Sequence, residues 1–245
     1  MHKPFAPQSQ PLCQSLANAL SLHVWRPLRS VTRRLAAELW PSQCPGCRKV
    51  LPATEPLAFC AECYGKLPWW NTSRILAPQL PAALNSFTAP CLYEEPLREA
   101  IIQFKFHRAT PFAKPLGKLM LPHMPSTPML IVPVPSHPSR TSQRHYNHAV
   151  LLARYLAKHS GFPLNITALK RLTKGLPQAA KTRASRLKLP STAFEADANI
   201  FLDQTVLLID DIYTTGATAK ACALALKKAG AHEVHMLTLA YTAPH

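Results

Sequence analysis

From about residue 85 onward, short apolar runs alternate with amphipathic stretches, and polar turns separate them. Val206-Leu207-Leu208-Ile209 is an unbroken apolar run of the kind that a parallel sheet buries on both faces. Ala217 to Ala229, rich in Ala, Leu and Lys, predicts a helix stopped by Gly230. The same sequence of strand, polar turn and helix occurs earlier, with Met129 to Val134 as a buried strand and Ala149 to His159 as a helix stopped by Gly161. Phe87 to Tyr93, Asn165 to Leu172 and Glu233 to Tyr241 read as further strands. Glu94 to His107 places Leu97, Ala100, Ile101 and Phe104 on one helical face, and Pro111 to Met120 predicts a second helix. Lys105 and Arg108 suit the negative end of the first of these helices. Such alternation predicts an α/β domain built on a parallel sheet.

The chemistry concentrates after Ile209. Asp210 and Asp211 come next, followed by Ile212-Tyr213-Thr214-Thr215-Gly216-Ala217-Thr218. In open α/β sheets ligands bind at the carboxyl ends of the strands. A turn leading into a helix offers unpaired N–H groups and the positive end of the helix dipole, so Thr214, Thr215, Gly216, Ala217 and Thr218 are placed to cradle a phosphate. Gly216 lets the backbone approach the anion closely. Asp210 and Asp211 are placed to accept hydrogen bonds from two ribose hydroxyls, or to hold Mg²⁺ through water. The G-x-x-x-x-G-K pattern of a Walker loop is absent. A strand ending in two helix-capping acids is the plainer reading. The whole stretch resembles the phosphoribosyl pyrophosphate (PRPP) signature of type I phosphoribosyltransferases.

Charge adds to this picture. The 245 residues carry a formal net charge of +16, and no Asp or Glu occurs from Ala100 to Phe194. Fifteen Lys and Arg residues lie in that span, Lys181, Arg183 and Arg186 among them. A field of one sign over such a length attracts polyanions, so contact with nucleic acid is expected. A solvated surface around an anion pocket is the alternative. Ser136, His137 and Arg140 follow the strand at 129–134, and with Arg144 they form a candidate pyrophosphate-binding turn; a solvated loop is again the plainer reading. Thr173 to Pro190 is long, basic and weakly periodic, as lids over reactive sites often are. No run of eighteen apolar residues is present, so no membrane span is expected. Leu12 to Leu22 lacks a preceding basic cluster and a cleavage site, so no signal peptide is expected and the cytoplasm is the expected location. Val31, Leu35, Ala36 and Leu39 share a face of a short helix, which suits a docking element within residues 1–40.

Seven cysteines are present. Cys44-Pro45-Gly46-Cys47 is followed after twelve residues by Cys60-Ala61-Glu62-Cys63. Two C-x-x-C knuckles at this separation suit a tetrahedral four-thiolate zinc site, with two disulfides or a redox pair as the alternatives. Disulfides would need an oxidising compartment. Cys13, Cys91 and Cys222 stand alone and read as small apolar residues. Trp69 and Trp70 are placed to pack the cysteine unit onto the next domain.

These landmarks fall in order with Tyr93-Glu94-Glu95-Pro96, Phe104-Lys105-Phe106, Val132-Pro133-Val134-Pro135, Arg144-His145-Tyr146-Asn147-His148 and Gln178. Together they resemble the ComF family (ComFC, GntX-like), a zinc ribbon fused to a phosphoribosyltransferase-like domain, over roughly residues 39 to 245. The resemblance implies an extension over 1–40, a Cys₄ zinc ribbon over 41–70 and, over 85–245, a type I phosphoribosyltransferase-like parallel sheet flanked by helices. It further implies PRPP bound with Mg²⁺, with Asp210, Asp211 and Arg144 as the catalytic candidates. The family acts in natural transformation, which implies handling of incoming single-stranded DNA and a helicase-like competence partner. An active phosphoribosyltransferase with an unidentified acceptor is the alternative. Where the family usually reads Arg-Gly-Phe-Asn-Gln, this chain has Arg144-His145-Tyr146-Asn147-His148.

Overall fold

The computed structural model describes residues 43–51, 59–70, 77–106, 110–136, 146–172, 190 and 192–243. The helix expected near 31–39, Cys13, the long basic segment after Leu172 except Pro190, and His137, Arg140, Arg144, Lys181, Arg183 and Arg186 all lie outside them. By its contacts the chain divides into a unit of 1–43 with 50–55 and a larger unit of 44–49 with 56–245. Gln43, Val50 and Leu51 are the described part of the first unit, where Gln43 and Val50 form an antiparallel bridge.

In the larger unit, helix α1 (Ala61–Gly65) begins within the second cysteine knuckle and carries Cys63, and Cys60 caps it. Strands β1 (Ser86–Thr88) and β2 (Cys91–Leu92) both pair in parallel with β7 (Glu233–Tyr241). One strand was expected from Phe87 to Tyr93; Ala89 and Pro90 interrupt it, because Pro has no N–H to give a ladder. Helix α2 (Leu97–Phe106) begins after Pro96 and buries Leu97, Ala100, Ile101 and Phe104, the face that the periodicity marks. A 3₁₀ turn (Thr110–Phe112) precedes α3 (Ala113–Met120).

The sheet is parallel, in the order β1-β7-β6-β3, where β3 is Leu130–Pro133 and β6 is Thr205–Tyr213. Val206, Leu207, Leu208 and Ile209 are all buried, as a strand covered on both faces requires. Helix α4 (His148–Ser160) packs on β3, β6 and α3, and α3 reaches β7. Gly161, at φ 76°, ends α4 in the left-handed conformation. Val206, Leu208, Val234 and Met236 join a core with Cys222, Leu226 and the alanines of α6 (Ala217–Lys228). Cys91 and Cys222 are buried, as expected of lone apolar cysteines.

The region 165–172 departs from expectation. Only Leu169–Arg171 (β4) is extended, and it pairs antiparallel with β5 (Phe194–Ala196) in a separate two-stranded sheet. Asn165 instead turns the chain, its side chain accepting from the amides of Thr167 and Ala168. A one-turn helix, α5 (Ala198–Phe201), capped by Asp197, then leads into β6. Among the described residues, no helix is long and apolar enough to cross a membrane.

Candidate functional site

β6 runs further than its apolar core. It continues through Asp210 and Asp211 to Tyr213, pairing Asp210 with Thr238, Ile212 with Ala240 and Tyr213 with Tyr241. The acids therefore lie inside the strand, short of its end at Tyr213, rather than at the start of a loop. Successive strand residues face opposite sides, so the two carboxylates part company. Asp210 follows Val206 and Leu208 towards the α6 core, where its charge is felt by the Cys222 thiol. Asp211 faces the other way and meets Lys105, whose Nζ lies 3.0 Å from its Oδ2. The two side chains of this pair are 20% and 12% exposed, which places the ion pair largely out of water.

Burial raises the Asp210 carboxyl well above the ordinary carboxylate range, and the neighbouring Asp211 charge pushes the same way. The Asp211 amide, donating to Asp210 Oδ1 at 2.9 Å, and the charge of Lys105 oppose that rise.

The turn that follows carries Thr214 and Thr215 exposed and Gly216 buried at φ 73°. Gly216 is required twice over: the conformation is left-handed, and a Cβ there would land on the Tyr213 hydroxyl. Gly216 also stands as the cap of α6 and brings no side chain to it. The first-turn amides of a helix have no acceptor within it; here the Ala217 amide reaches Thr215 Oγ1 at 3.4 Å. Two carboxylates near the end of β6, two exposed threonines and a helix start capped by glycine thus follow one another in the chain. Such a set suits hydroxyl groups and a phosphate on one ligand, and hard carboxylate oxygens are the donors that Mg²⁺ takes.

Below the turn, Tyr213 packs on Phe87 at 4.3 Å between centroids, and Phe87 on Trp70 at 5.7 Å; Trp70 also meets Tyr241 at 5.1 Å. Trp70 therefore joins the residues after the cysteine unit to the sheet, as expected, and Trp69, edge-on to Tyr64 of that unit's own helix, bridges to Cys91 of β2. On the neighbouring strand, the Val134 amide donates to Ile209 O at 2.9 Å, so the chain leaves β3 beside the acids and Ser136 follows two residues later.

In the run from Arg144 to His148, Asn147 and His148 do structural work. Asn147 caps α4 by accepting from the Ala149 amide at 3.1 Å, and donates to Val134 O at 2.9 Å. His148 is buried with its ring edge-on to Phe104. Tyr146 Oη donates to Phe104 O at 3.0 Å. Lys105 is the residue whose place at the acids the sequence does not reveal; there it suits the helix dipole and forms part of the Phe104-Lys105-Phe106 landmark. The available signal was a cation between Phe104 and Phe106 at the end of a buried face, where a charge needs a partner.

The four cysteines converge as their spacing predicts. Their sulfurs lie within 4.8 Å of one another, with Cys47 and Cys60 3.7 Å apart. Tetrahedral zinc with Zn–S of about 2.3 Å sets its sulfurs roughly 3.8 Å apart, so the cluster fits that ion. Burial works against ionisation of Cys44, but amides of Cys60, Cys47 and Gly46 donate to its sulfur and bring it down to about 7. Burial raises Cys63, and its cysteine neighbours add to the rise. A metal would take all four as thiolates.

Comparison with known proteins agrees with this geometry. Residues 147–244 match the phosphoribosyl transferase domain family. Competence protein F of Haemophilus influenzae is 27% identical over 208 residues, 80% of this chain and 89% of the relative. Competence protein ComFC of Bacillus subtilis is 31% identical over 152 residues, 60% of each chain. DNA utilization protein YhgH of Salmonella typhimurium is 29% identical over 242 residues, 94% of this chain and 97% of the relative. The parallel sheet, the turn at Asp210 and the matched domain define a type I phosphoribosyltransferase-like protein with a four-cysteine unit at its amino-terminal side. Within that class, the chain is similar along most of its length to proteins named for competence and for DNA utilization.

Proposed function

We propose that this chain binds PRPP with Mg²⁺ at the end of β6 and assists the handling of incoming single-stranded DNA in the cytoplasm. One observation carries the reading: two carboxylates near the end of β6 are followed, after a short turn, by a helix start capped by Gly216 with no side chain of its own. Thr214, Thr215, Gly216, Ala217 and Thr218 would hold the 5′-phosphate, with Asp210 and Asp211 on the ribose side. The turn after β3, with Ser136, His137 and Arg140, would face the pyrophosphate, and Arg144 would offset its charge. Mg²⁺, when bound, would neutralise part of the diphosphate; Asp211 and Asp210 are the residues placed to hold it. Zinc, held by Cys44, Cys47, Cys60 and Cys63, would supply folding energy to a unit too short to bury a core. The DNA role rests on the competence and DNA-utilization names of the relatives, and on the acid-free basic span.

Calorimetric titration with PRPP and Mg²⁺ tests the site. The wild type is expected to bind, and the double variant Asp210→Asn/Asp211→Asn to lose at least about tenfold in affinity, the scale of one lost charged contact. Equal binding by the two would overturn the assignment.

A further inference from the structure

Lys105 is held from two directions. In the first turn of α2, Arg48 pairs with Glu99 at 2.9 Å, and further along the helix Gln103 Nε2 donates to Pro45 O at 3.4 Å and to Glu99 Oε1 at 3.0 Å. A Cβ on Gly46 would come within 3.0 Å of Pro96 Cβ and 3.1 Å of Cys63 Sγ. The first cysteine knuckle, a ligand sulfur and the entrance to α2 are therefore packed without slack. At the other end, Tyr146 and His148 grip Phe104. Lys105 lies next to Phe104 and reaches Asp211. A ten-residue helix is a stiff rod of about 15 Å, so a shift at the knuckle is passed to its last turn.

We propose that Lys105 is a built-in counter-cation of the Asp210–Asp211 site, set in place by the four-cysteine unit through α2, so that the metal state of that unit governs how much Mg²⁺ the site needs to accept a phosphorylated sugar. The proposal rests on the sugar-phosphate reading of that site. The carboxylate of Asp211 repels a polyanion. An ammonium 3.0 Å from it offsets that repulsion, and strongly so away from water. The same ammonium competes with Mg²⁺ for an Asp211 oxygen. Lys105 is thus a positioning residue that acts through Asp211.

Two measurements on the full chain test it. In the first, PRPP is titrated at low and at saturating Mg²⁺. Lys105→Gln is expected to lose about tenfold in affinity at low Mg²⁺ and to recover most of it at saturation, while Lys105→Arg keeps the wild-type dependence. Chelation of zinc under reducing conditions should shift the wild type in the same direction as Lys105→Gln. A loss that is uniform at all Mg²⁺ levels, or no loss, would overturn the counter-cation role.

The second measurement needs no sugar phosphate. Amide hydrogen exchange is followed in peptides covering 97–106 and 205–216, with β7 as the check that the sheet stays folded. Zinc removal is expected to speed exchange in both peptides. Gln103→Met, which keeps all four cysteines, should do so with zinc bound. Faster exchange confined to residues 59–66 would overturn the coupling. If the wild type binds no PRPP at any Mg²⁺ level, the sugar-phosphate reading falls and the counter-cation role with it, while exchange alone still decides whether the cysteine unit and α2 are coupled.

Discussion

At the scale of single residues, the site is a set of constraints on backbone and charge. Gly216 shows the first kind. A non-glycine residue in the left-handed region costs roughly 1–2 kcal/mol, and here the added Cβ also meets the Tyr213 hydroxyl. Gly216→Ala is expected to lower stability by at least that amount in urea unfolding. Adding Tyr213→Phe should return part of the loss, because the colliding oxygen is gone while the strained φ remains. Strictly additive costs would show that the two residues do not meet. Asp210 shows the second kind. Folding raises its carboxyl pKa, so the folded chain keeps the proton to higher pH than the unfolded chain does. Its contribution is thus favourable while the carboxyl is protonated, and is lost as pH rises from the ordinary carboxylate range, about 4, through the raised value. In metal-free buffer, Asp210→Asn is expected to gain stability over the wild type as pH rises through that window. A difference that stays flat with pH would refute the shift. Asp210 and Gly216 could be picked out from sequence because motif chemistry is local. The Lys105–Asp211 pair could not, since 106 residues of chain separate partners that only the fold brings together.

At the scale of elements, legibility follows burial. β6, α4 and α6 are readable because a parallel sheet covered on both faces demands continuous apolar runs, and helices against it demand a 3.6-residue period. β4 was overread: Asn165 to Leu172 has strand-like composition, but the Asn165 side chain ties up two following amides and spends half the segment on a turn. The cysteine unit is the opposite case, being fixed by spacing and not by any apolar pattern. Its exposed ion pairs, Glu62 with Lys49 and Lys66, are of the kind that add little. A metal held by the four sulfurs would therefore supply most of what keeps it folded. One zinc per chain is expected by elemental analysis, and Cys60→Ser should lose the ion and lower the melting temperature. Full metal content in that variant would mean the four sulfurs do not act as one site.

At the scale of the whole molecule, the charge distribution is the feature that no single element explains. A net charge of +16 is far more than one sugar-phosphate pocket needs, and the acid-free stretch from Ala100 to Phe194 holds fifteen of the basic residues. Lys and Arg that neutralise phosphates release counterions, so affinity for single-stranded DNA should fall with salt at a slope of about 0.7 per phosphate contacted. Lys181, Arg183 and Arg186 sit close together in that stretch. If each meets one phosphate, reversing all three to Glu should make the slope of log K against log salt shallower by about 2, as well as lowering affinity at every salt concentration. A loss of affinity with an unchanged slope would mean that these residues act on the fold and not on the polyanion. Binding that ignores salt altogether would remove nucleic acid as the reason for the basic surface. The measurement separates two uses of positive charge in one chain. A pyrophosphate pocket saturates with a few cations and one small ligand, so excess PRPP should leave DNA binding through the triad intact. If PRPP competes with DNA, the two polyanions share a surface, and the sugar-phosphate site at the end of β6 is part of how this protein holds its strand.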